Sequence, residues 1–273
     1  MVDADARRAT ARTALESLAG TGYVLAGASA LIEHGLIPRE TVDVDLFTTS
    51  AETTPLPEVL DRLHEEFTAR GGSMEVNRTA DQYANVLFHL AGATIEGDLG
   101  TDWRGHSPVR GELGPMLDER DAVGNKVAAL YSRRAARDYM DVAAIALSGR
   151  WTHRTLIDAA RNQDPGIGLD MLADALASDQ IPASDRFAAA GLTPDVERVM
   201  RHALTHLHRG VDYEHRVELV AREDPEAAEA MRISAAGKMQ PLTEQLRTWR
   251  ASPPARHVKG QSRESDRAPG YGD

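Results

Sequence analysis

The sequence predicts an α+β fold in which an N-terminal lobe, built on a mixed β-sheet flanked by helices, is followed by an all-helical C-terminal lobe. Short apolar runs bounded by turn residues, which are typical of strands, are confined to residues 23–99. After Pro115 the apolar residues instead recur at helical spacing. We therefore expect a sheet lobe at residues 1–112, a helical lobe at residues 113–250 and a disordered tail at residues 251–273, where Pro, Gly, Ser and charged residues prevail.

Composition and charge exclude several classes of protein. The chain of 273 residues contains no cysteine, which rules out disulfide-built scaffolds, thiolate nucleophiles and cysteine-ligated zinc. No stretch of the sequence has an apolar run long enough to cross a membrane, so we expect a cytoplasmic protein without membrane contact. The net charge of −11 argues against a surface that binds nucleic acid throughout, and leaves room only for a local basic site.

The N-terminal stretch predicts a helix, a strand, a turn and a second helix in that order. Residues 5–19 carry apolar side chains at helical spacing. The apolar run at residues 23–26 then meets a small-residue turn, Gly27-Ala28-Ser29. Because the first N–H groups of a helix have no partner within the helix, such a turn can bind an anion, and the Ser29 hydroxyl would add a donor.

The next predicted strand carries two acids. Asp43 and Asp45 are two residues apart, so on a strand both point to one face while Val42, Val44 and Leu46 point to the other. Adjacent carboxylates repel, and a divalent cation between them would turn the repulsion into binding. Mg²⁺ binds carboxylate oxygen together with substrate phosphate, so this pattern predicts a Mg²⁺ site, with Mn²⁺ as the alternative ion.

Further helix and strand patterns follow. Residues 55–69 predict an amphipathic helix. Three strands are predicted, at residues 73–78, 85–91 and 93–99, and the second is the most apolar and is expected at the centre of the sheet. Asp98, set beside the acid strand, would complete a cluster of three metal-binding carboxylates. Glu96 points the same way and is the alternative third carboxylate.

A charged stripe marks the helix predicted for residues 125–145. Steps of seven, four and four residues from Lys126 reach Arg133, Arg137 and Asp141, all on one helical face. Three cations on one face would suit phosphate groups, with the lysine as a point charge and the arginines as forks. A solvated, salt-bridged face is the alternative.

These motifs in combination resemble known proteins. The strand, glycine turn, helix and acid-bearing strand resemble the start of the nucleotidyltransferase fold. Residues 22–147 are similar to the AbiEii and AbiGii nucleotidyltransferase toxins, and residues 117–147 resemble their second motif region. The matching positions are Gly27, Ser29, Arg39, Thr41, Asp43, Asp45, Lys126, Arg137, Asp138 and Asp141. The sequence departs from the usual motif at Ala28 and in the long gap before Asp43, and we expect either departure to tighten the phosphate pocket.

The resemblance implies an enzyme with a defined active site. Proteins of this family occur in toxin–antitoxin pairs, and the Men-type toxins of mycobacteria include some that modify transfer RNA. By resemblance, we expect transfer of a nucleoside monophosphate from a nucleoside triphosphate to the 3′ end of tRNA, with two Mg²⁺ ions and a cognate antitoxin. The implied catalytic residues are Asp43, Asp45, Asp98 and Lys126, and the three aspartates among them bind metal. The implied substrate-binding residues are Gly27, Ser29, Arg39, Thr41, Arg133, Arg137 and Asp138.

Several roles stay open at this point. The acceptor is alternatively a protein hydroxyl or a small molecule such as an antibiotic. A binding module of the same fold without turnover is the rival outside the enzyme class. Arg39 either contacts triphosphate or pairs on the surface near Glu40. Asp138 either closes the active site from the helical lobe or pairs with Arg134 as a structural contact between residues i and i+4.

A histidine-rich motif lies in the helical lobe. His202, His206 and His208 include a pair at the i, i+4 spacing of metal ligands, but no acid at the right position accompanies them. A basic face that contacts RNA is the alternative, formed by Arg198, Arg201, Arg209 and Arg216. The tryptophans Trp151 and Trp249 are expected to pack within the same lobe.

Overall fold

The computed structural model describes residues 4–50 and 54–235. The described residues form ten helices, which are α1 (Ala4–Ser17), α2 (Gly27–Glu33), α3 (Leu56–Ala69), α4 (Glu119–Arg133), α5 (Ala136–Leu147), α6 (His153–Gln163), α7 (Leu169–Leu176), α8 (Ser184–Ala189), α9 (Pro194–Glu223) and α10 (Pro225–Ala235). They also form seven strands, which are β1 (Val24–Leu25), β2 (Asp43–Thr48), β3 (Ser73–Ala80), β4 (Tyr83–Leu90), β5 (Ala93–Thr101), β6 (Val109–Arg110) and β7 (Pro115–Met116). The predicted α+β class is confirmed, while the predicted tail at residues 251–273 and Trp249 lie outside the described residues.

The strands form one mixed sheet with the order β3-β4-β5-β2-β1-β7-β6. β2 is the middle strand; it runs parallel to β5 and antiparallel to β1. The prediction that residues 85–91 form the central strand was wrong, because β4 lies second from the edge. Its apolar residues alternate with half-exposed ones, so β4 buries only one face.

The face of the sheet opposite the acids is covered by α1 and α3. On the apolar side of α3, three residues are fully buried, Val59, Leu63 and Phe67. The Phe67 ring stacks on Phe88 of β4 with 4.6 Å between ring centroids. This helix therefore seals the apolar face of the outer strands, since stacked aromatic pairs add to the free energy of burial.

The acid-bearing face is covered instead by α2 and the helices that follow residue 117. One apolar core joins Ala26 and Leu31 of the N-terminal part to Leu130 and to residues as far as Val211, and Trp151 packs against it as predicted. The hairpin of β6 and β7 lies across residue 112, and β7 pairs with β1. Strand pairing and the apolar core both include residues before and after residue 112. The division into two lobes at this residue stays a prediction.

The charged helix predicted for residues 125–145 is two helices in the structure. α4 ends at Arg133, and Arg134 adopts a left-handed backbone with φ of 51°. The Arg134 guanidinium holds this break in place, because it lies 3.0 Å from Asp174 and 3.2 Å from Gln180. Residues 131–137 contain neither Gly nor Pro, so the sequence carries no signal for the break.

Helix starts are better marked in the sequence. Thr152 caps α6 and Thr193 caps α9, in each case by accepting a hydrogen bond from a backbone N–H of the first turn. Pro194 and Pro225 open α9 and α10. None of the described helices combines the length and the hydrophobicity that crossing a membrane requires.

The turn between β4 and β5 holds an alanine in an unfavourable conformation. Ala91 has a φ of 51° and Gly92 a φ of 80°, as a two-residue hairpin turn with both central residues left-handed requires. An alanine Cβ in this region costs on the order of 1 kcal/mol, whereas asparagine tolerates it better.

We therefore expect Ala91→Asn to raise the free energy of unfolding by about 0.5 to 1 kcal/mol, measured by urea denaturation. Ala80→Asn is the matched control, since Ala80 is also exposed but lies at the end of β3, away from any left-handed position. A gain in the control as large as in Ala91→Asn, or a loss in Ala91→Asn, would contradict this account of the turn.

Candidate active site

Carboxylates lie side by side on one face of β2 and β5. Asp45 pairs in register with Asp98, and Asp43 pairs with Glu96. Strands of a sheet are about 4.8 Å apart, so the Asp45 and Asp98 side chains are lateral neighbours on the same face. Val44 and the other alternate residues of β2 are buried on the opposite face. The structure thus brings together the three aspartates predicted as metal ligands.

The two candidates for the third carboxylate have different surroundings. The Asp98 carboxylate Oδ1 accepts hydrogen bonds from Tyr83 Oη at 2.5 Å and from Asn85 Nδ2 at 2.9 Å. Glu96 is exposed and accepts from the same Asn85 amide at 2.8 Å. Asp98 is also the one of the two whose charge acts on Asp45. The geometry favours Asp98, and its role as the third carboxylate stays a prediction.

The glycine turn lies directly against Asp45. Gly27 has a φ of +54°, and a Cβ placed on it would lie 1.7 Å from Asp45 Oδ2. The Ala26 N–H donates to the Asp45 carbonyl at 2.9 Å, which fixes the turn to β2. Only glycine fits here, because any side chain would occupy the space of the carboxylate. The predicted phosphate turn and the predicted metal acids therefore form one site.

Asp45 is electrostatically strained in this position. Burial raises the pKa of Asp45 to about 7, and repulsion by Asp43 and Asp98 adds to the increase. The cations Lys126 and Arg133 act in the opposite direction but do not cancel it. No described hydrogen bond reaches this carboxylate, so Lys126 and Arg133 are the groups that favour its charged form.

Two polar residues predicted to bind substrate are engaged within the protein. The Ser29 hydroxyl is fully buried; it donates to the Asp43 carbonyl at 3.2 Å and accepts from Arg7 Nη1 at 2.8 Å. Thr41 is also buried and donates a close hydrogen bond to the Asp43 carboxylate. Both hydroxyls therefore donate to Asp43 and help to hold the start of β2 in place. Sequence reasoning missed Arg7, because nothing in the amphipathic pattern of α1 marks this arginine as buried.

A bidentate ion pair joins the loop before β2 to α5. Arg39 Nε lies 2.6 Å from Asp141 Oδ1, and Arg39 Nη2 lies 2.7 Å from Asp141 Oδ2. Lys126 Nζ lies 3.0 Å from Asp141 and 3.4 Å from Asp138. Asp141 is fully buried and Lys126 nearly so. Arg39 is thus paired, although with Asp141 and not with the surface acids near Glu40.

The rest of this charge network comes from the end of α4. Arg133 makes two hydrogen bonds of 2.8 Å to the buried Asp138 carboxylate. Burial disfavours the charged form of Asp138, but the Arg133 hydrogen bonds and the Lys126 charge outweigh it and hold its pKa below the usual value. Of the two alternatives for Asp138, the pairing with Arg134 is not formed, because Arg134 contacts Asp174. Arg137 is exposed, and no acid of the described residues pairs with it.

The donor set fits a hard divalent cation. Asp43, Asp45 and Asp98 offer carboxylate oxygens on one face, and Gly27 accommodates the Asp45 carboxylate against the turn. Among residues 4–50 and 54–235, no three acid or histidine groups already converge at metal-ligand distances. Repulsion between bare carboxylates is a physical reason for that, and a cation would remove it. These aspartates are the residues that would hold Mg²⁺ or Mn²⁺.

The three histidines of α9 differ in exposure, since His202 is exposed whereas His206 and His208 are half-buried. His208 Nδ1 lies 2.9 Å from the Ala173 carbonyl. Three of the nearby arginines pair with an acid of their own helix, and the pairs are Arg198 with Asp195, Arg201 with Glu197 and Arg216 with Asp212. Arg201 also donates to the Pro182 carbonyl at 2.7 Å. This pattern fits a salt-bridged helix surface better than a basic field for RNA.

Comparison with known proteins gives one family match. A family model described as "Nucleotidyl transferase AbiEii toxin, Type IV TA system" matches residues 9–232. No curated protein matches the chain in sequence.

Three solved structures share the fold. JHP933 from Helicobacter pylori has a TM-score of 0.52 and 16% identity, over 81% of this chain and 98% of that one. A structure described as a putative nucleotidyltransferase from H. pylori has a TM-score of 0.54 and 16% identity, over 78% and 95%. MenT4, a nucleotidyltransferase toxin from Mycobacterium tuberculosis H37Rv, has a TM-score of 0.52 and 15% identity, over 84% and 93%.

The strain on Asp45 predicts a specific pH dependence of stability in the metal-free protein. The folded-state pKa is about 7, above the ordinary value of 3.8, so the folded state binds the proton more tightly than the unfolded state. Asp45 therefore lowers stability as the pH rises from about 4 to about 7, by up to about 4 kcal/mol at about 1.4 kcal/mol per pKa unit.

Asp45→Asn should remove this decline, and above about pH 7 the variant should be more stable than the wild type. Urea denaturation in the presence of a chelator across that pH range measures the difference. Asp61→Asn is the matched control, because Asp61 is exposed on α3, and it should follow the wild type. An Asp45→Asn protein that is less stable than the wild type at every pH would refute the assignment of strain.

Proposed function

The chain belongs to the AbiEii nucleotidyltransferase toxin family of type IV toxin–antitoxin systems, and from that premise we propose that it is a Mg²⁺-dependent enzyme of the cytoplasm that transfers a nucleoside monophosphate from a nucleoside triphosphate to the 3′ end of tRNA. Pyrophosphate is the second product. Membership of the family implies a cognate antitoxin as the partner that restrains the enzyme.

The observation that supports this proposal most is the contact of the glycine turn with Asp45, which lies beside Asp98. Gly27 approaches Asp45 so closely that no side chain fits between them, and Asp45 stands beside Asp98. A fold kept only for binding would gain nothing from adjacent, mutually repelling carboxylates. A phosphate-binding turn beside metal-binding acids is the arrangement that phosphoryl transfer requires.

The proposed reaction is an in-line displacement at the α-phosphorus. The acceptor hydroxyl oxygen forms the new P–O bond, the bond to the β-phosphate breaks, and pyrophosphate leaves. Asp98 accepts the hydroxyl proton in this scheme, since its second carboxylate oxygen has no donor among the described residues. Bound Mg²⁺ would neutralise the carboxylates and the developing charge on the phosphate oxygens.

Cations of the helical part complete the site for triphosphate. The charges of Lys126 and Arg133 act to lower the pKa of Asp45, which supports their placement beside the acids. Arg137 is exposed with no acid partner among the described residues, so it is available for phosphate. Asp138 and Asp141 hold Lys126 in a defined place, and Arg39 with Asp141 secures the start of β2 against α5.

A small-molecule or protein hydroxyl is the second candidate acceptor. The net charge of −11 and the pairing of the α9 arginines with acids both disfavour a long electrostatic contact with RNA. An RNA acceptor would therefore be held mainly at its end, near Arg133 and Arg137.

The direct test is transfer of label from each α-³²P nucleoside triphosphate to total tRNA in the presence of Mg²⁺. We expect the wild type and Asp61→Asn to label tRNA with one preferred nucleotide, and Asp45→Asn to lose at least about 10³-fold in rate, because it removes a metal ligand and its charge. Label that enters protein or a small molecule would support the second candidate. Full activity of Asp45→Asn, or no transfer to any acceptor class, would overturn the proposed function.

A further inference from the structure

Asp98 is held by two side chains of the neighbouring strand β4. Tyr83 Oη donates to Asp98 Oδ1 at 2.5 Å, and Asn85 Nδ2 donates to the same oxygen at 2.9 Å. Residues 83 and 85 are two apart on β4, and Asn85 pairs in register with Asp98, so both side chains lie on the acid-bearing face. One carboxylate oxygen therefore receives both donors, and the other has no donor among the described residues.

A β-bulge fixes the orientation of the Asn85 amide. The register between β3 and β4 shifts between Val76 and Arg78, which leaves Asn77 as the extra residue. Asn77 Nδ2 donates to Asn85 Oδ1 at 3.0 Å. Because the Asn85 oxygen is thereby engaged, its amide nitrogen must face β5 and Asp98. Bulges commonly redirect a side chain next to an active site.

The same amide also contacts Glu96, so it bridges the two acids of β5. Asn85 Nδ2 also lies 2.8 Å from Glu96 Oε1, and Glu96 is exposed. The Arg78 guanidinium, from the residue that follows Asn77 in the bulge, lies over the Tyr83 ring at 5.2 Å from the centroid. The bulged segment of β3 thus contacts both donors, Asn85 through Asn77 and Tyr83 through Arg78.

We propose that Tyr83 and Asn85 are positioning residues that hold the Asp98 carboxylate with its free oxygen turned towards Asp45, and this proposal rests on the proposed function. An aspartate side chain rotates about two bonds, and a carboxylate that binds metal or accepts a proton needs to be held in one orientation. Both donors contact Asp98 and are assigned no contact with the nucleotide or the acceptor. Their loss would act only through Asp98.

Mn²⁺ binding to the full chain, followed by electron paramagnetic resonance, tests this without turnover. Tyr83→Phe and Asn85→Leu should each raise the dissociation constant for Mn²⁺ about 10- to 100-fold, as loss of a hydrogen bond to a metal ligand does. In transfer assays the same variants should lower kcat and raise the Mg²⁺ concentration for half-maximal rate, with little change in KM for the nucleotide. Asn77→Ala should act in the same direction but less strongly.

Coupling to Asp98 separates positioning from general damage. In an Asp98→Ala background, Tyr83→Phe should cause no further loss of Mn²⁺ affinity, because its effect passes through the missing carboxylate. Tyr213→Phe, which removes a 2.6 Å hydrogen bond to the Met231 carbonyl far from the acids, is the matched control and should leave Mn²⁺ binding unchanged.

Three outcomes are decisive. Unchanged Mn²⁺ affinity and kcat in both Tyr83→Phe and Asn85→Leu, with an active wild type, would overturn the positioning role while leaving the proposed function intact. A full additional loss from Tyr83→Phe in the Asp98→Ala background would also overturn it. A wild type that neither binds Mn²⁺ nor transfers nucleotide would overturn the proposed function and this proposal with it.

Discussion

The carboxylates on β2 and β5 repel one another, and the residues around them have to accommodate this repulsion. Asp43, Asp45 and Asp98 share one sheet face, and burial together with repulsion by the other two aspartates raises the pKa of Asp45 to about 7, so a bound cation would favour its ionised form. A stable fold would avoid this arrangement, so the strain points to a function that uses it. Gly27 is the clearest response, since its lack of a side chain makes room for the Asp45 carboxylate.

An alternating chain of charges connects this face to the helices behind it. Arg39, Asp141, Lys126, Asp138 and Arg133 follow one another, with each acid between two cations. Removing one member of a buried pair commonly costs about 3 to 5 kcal/mol, because its partner is left uncompensated. The network therefore does two things at once: it fixes the helices against the acid strand, and it supplies positive charge next to Asp45.

Features set by residues close together in the sequence could be predicted, whereas most contacts between distant residues could not. The shared face of Asp43 and Asp45 follows from the two-residue period of a strand, and the caps of α6 and α9 follow from local hydrogen bonding. The register of Asp98 beside Asp45 joins strands more than fifty residues apart, and only the resemblance to a known fold suggested it. Contacts such as Arg7 with Ser29, and the break at Arg134, depend on tertiary packing that no local pattern encodes.

The central claim, that the β2 and β5 acids hold catalytic metal, is tested most directly by anomalous diffraction from crystals soaked with Mn²⁺ and a non-hydrolysable nucleoside triphosphate. The account predicts Mn²⁺ peaks within coordination distance of Asp45 and of Asp43 or Asp98, with the phosphates beside Gly27. Mn²⁺ bound only to other acids, or no Mn²⁺ at this face at saturating concentration, would contradict it.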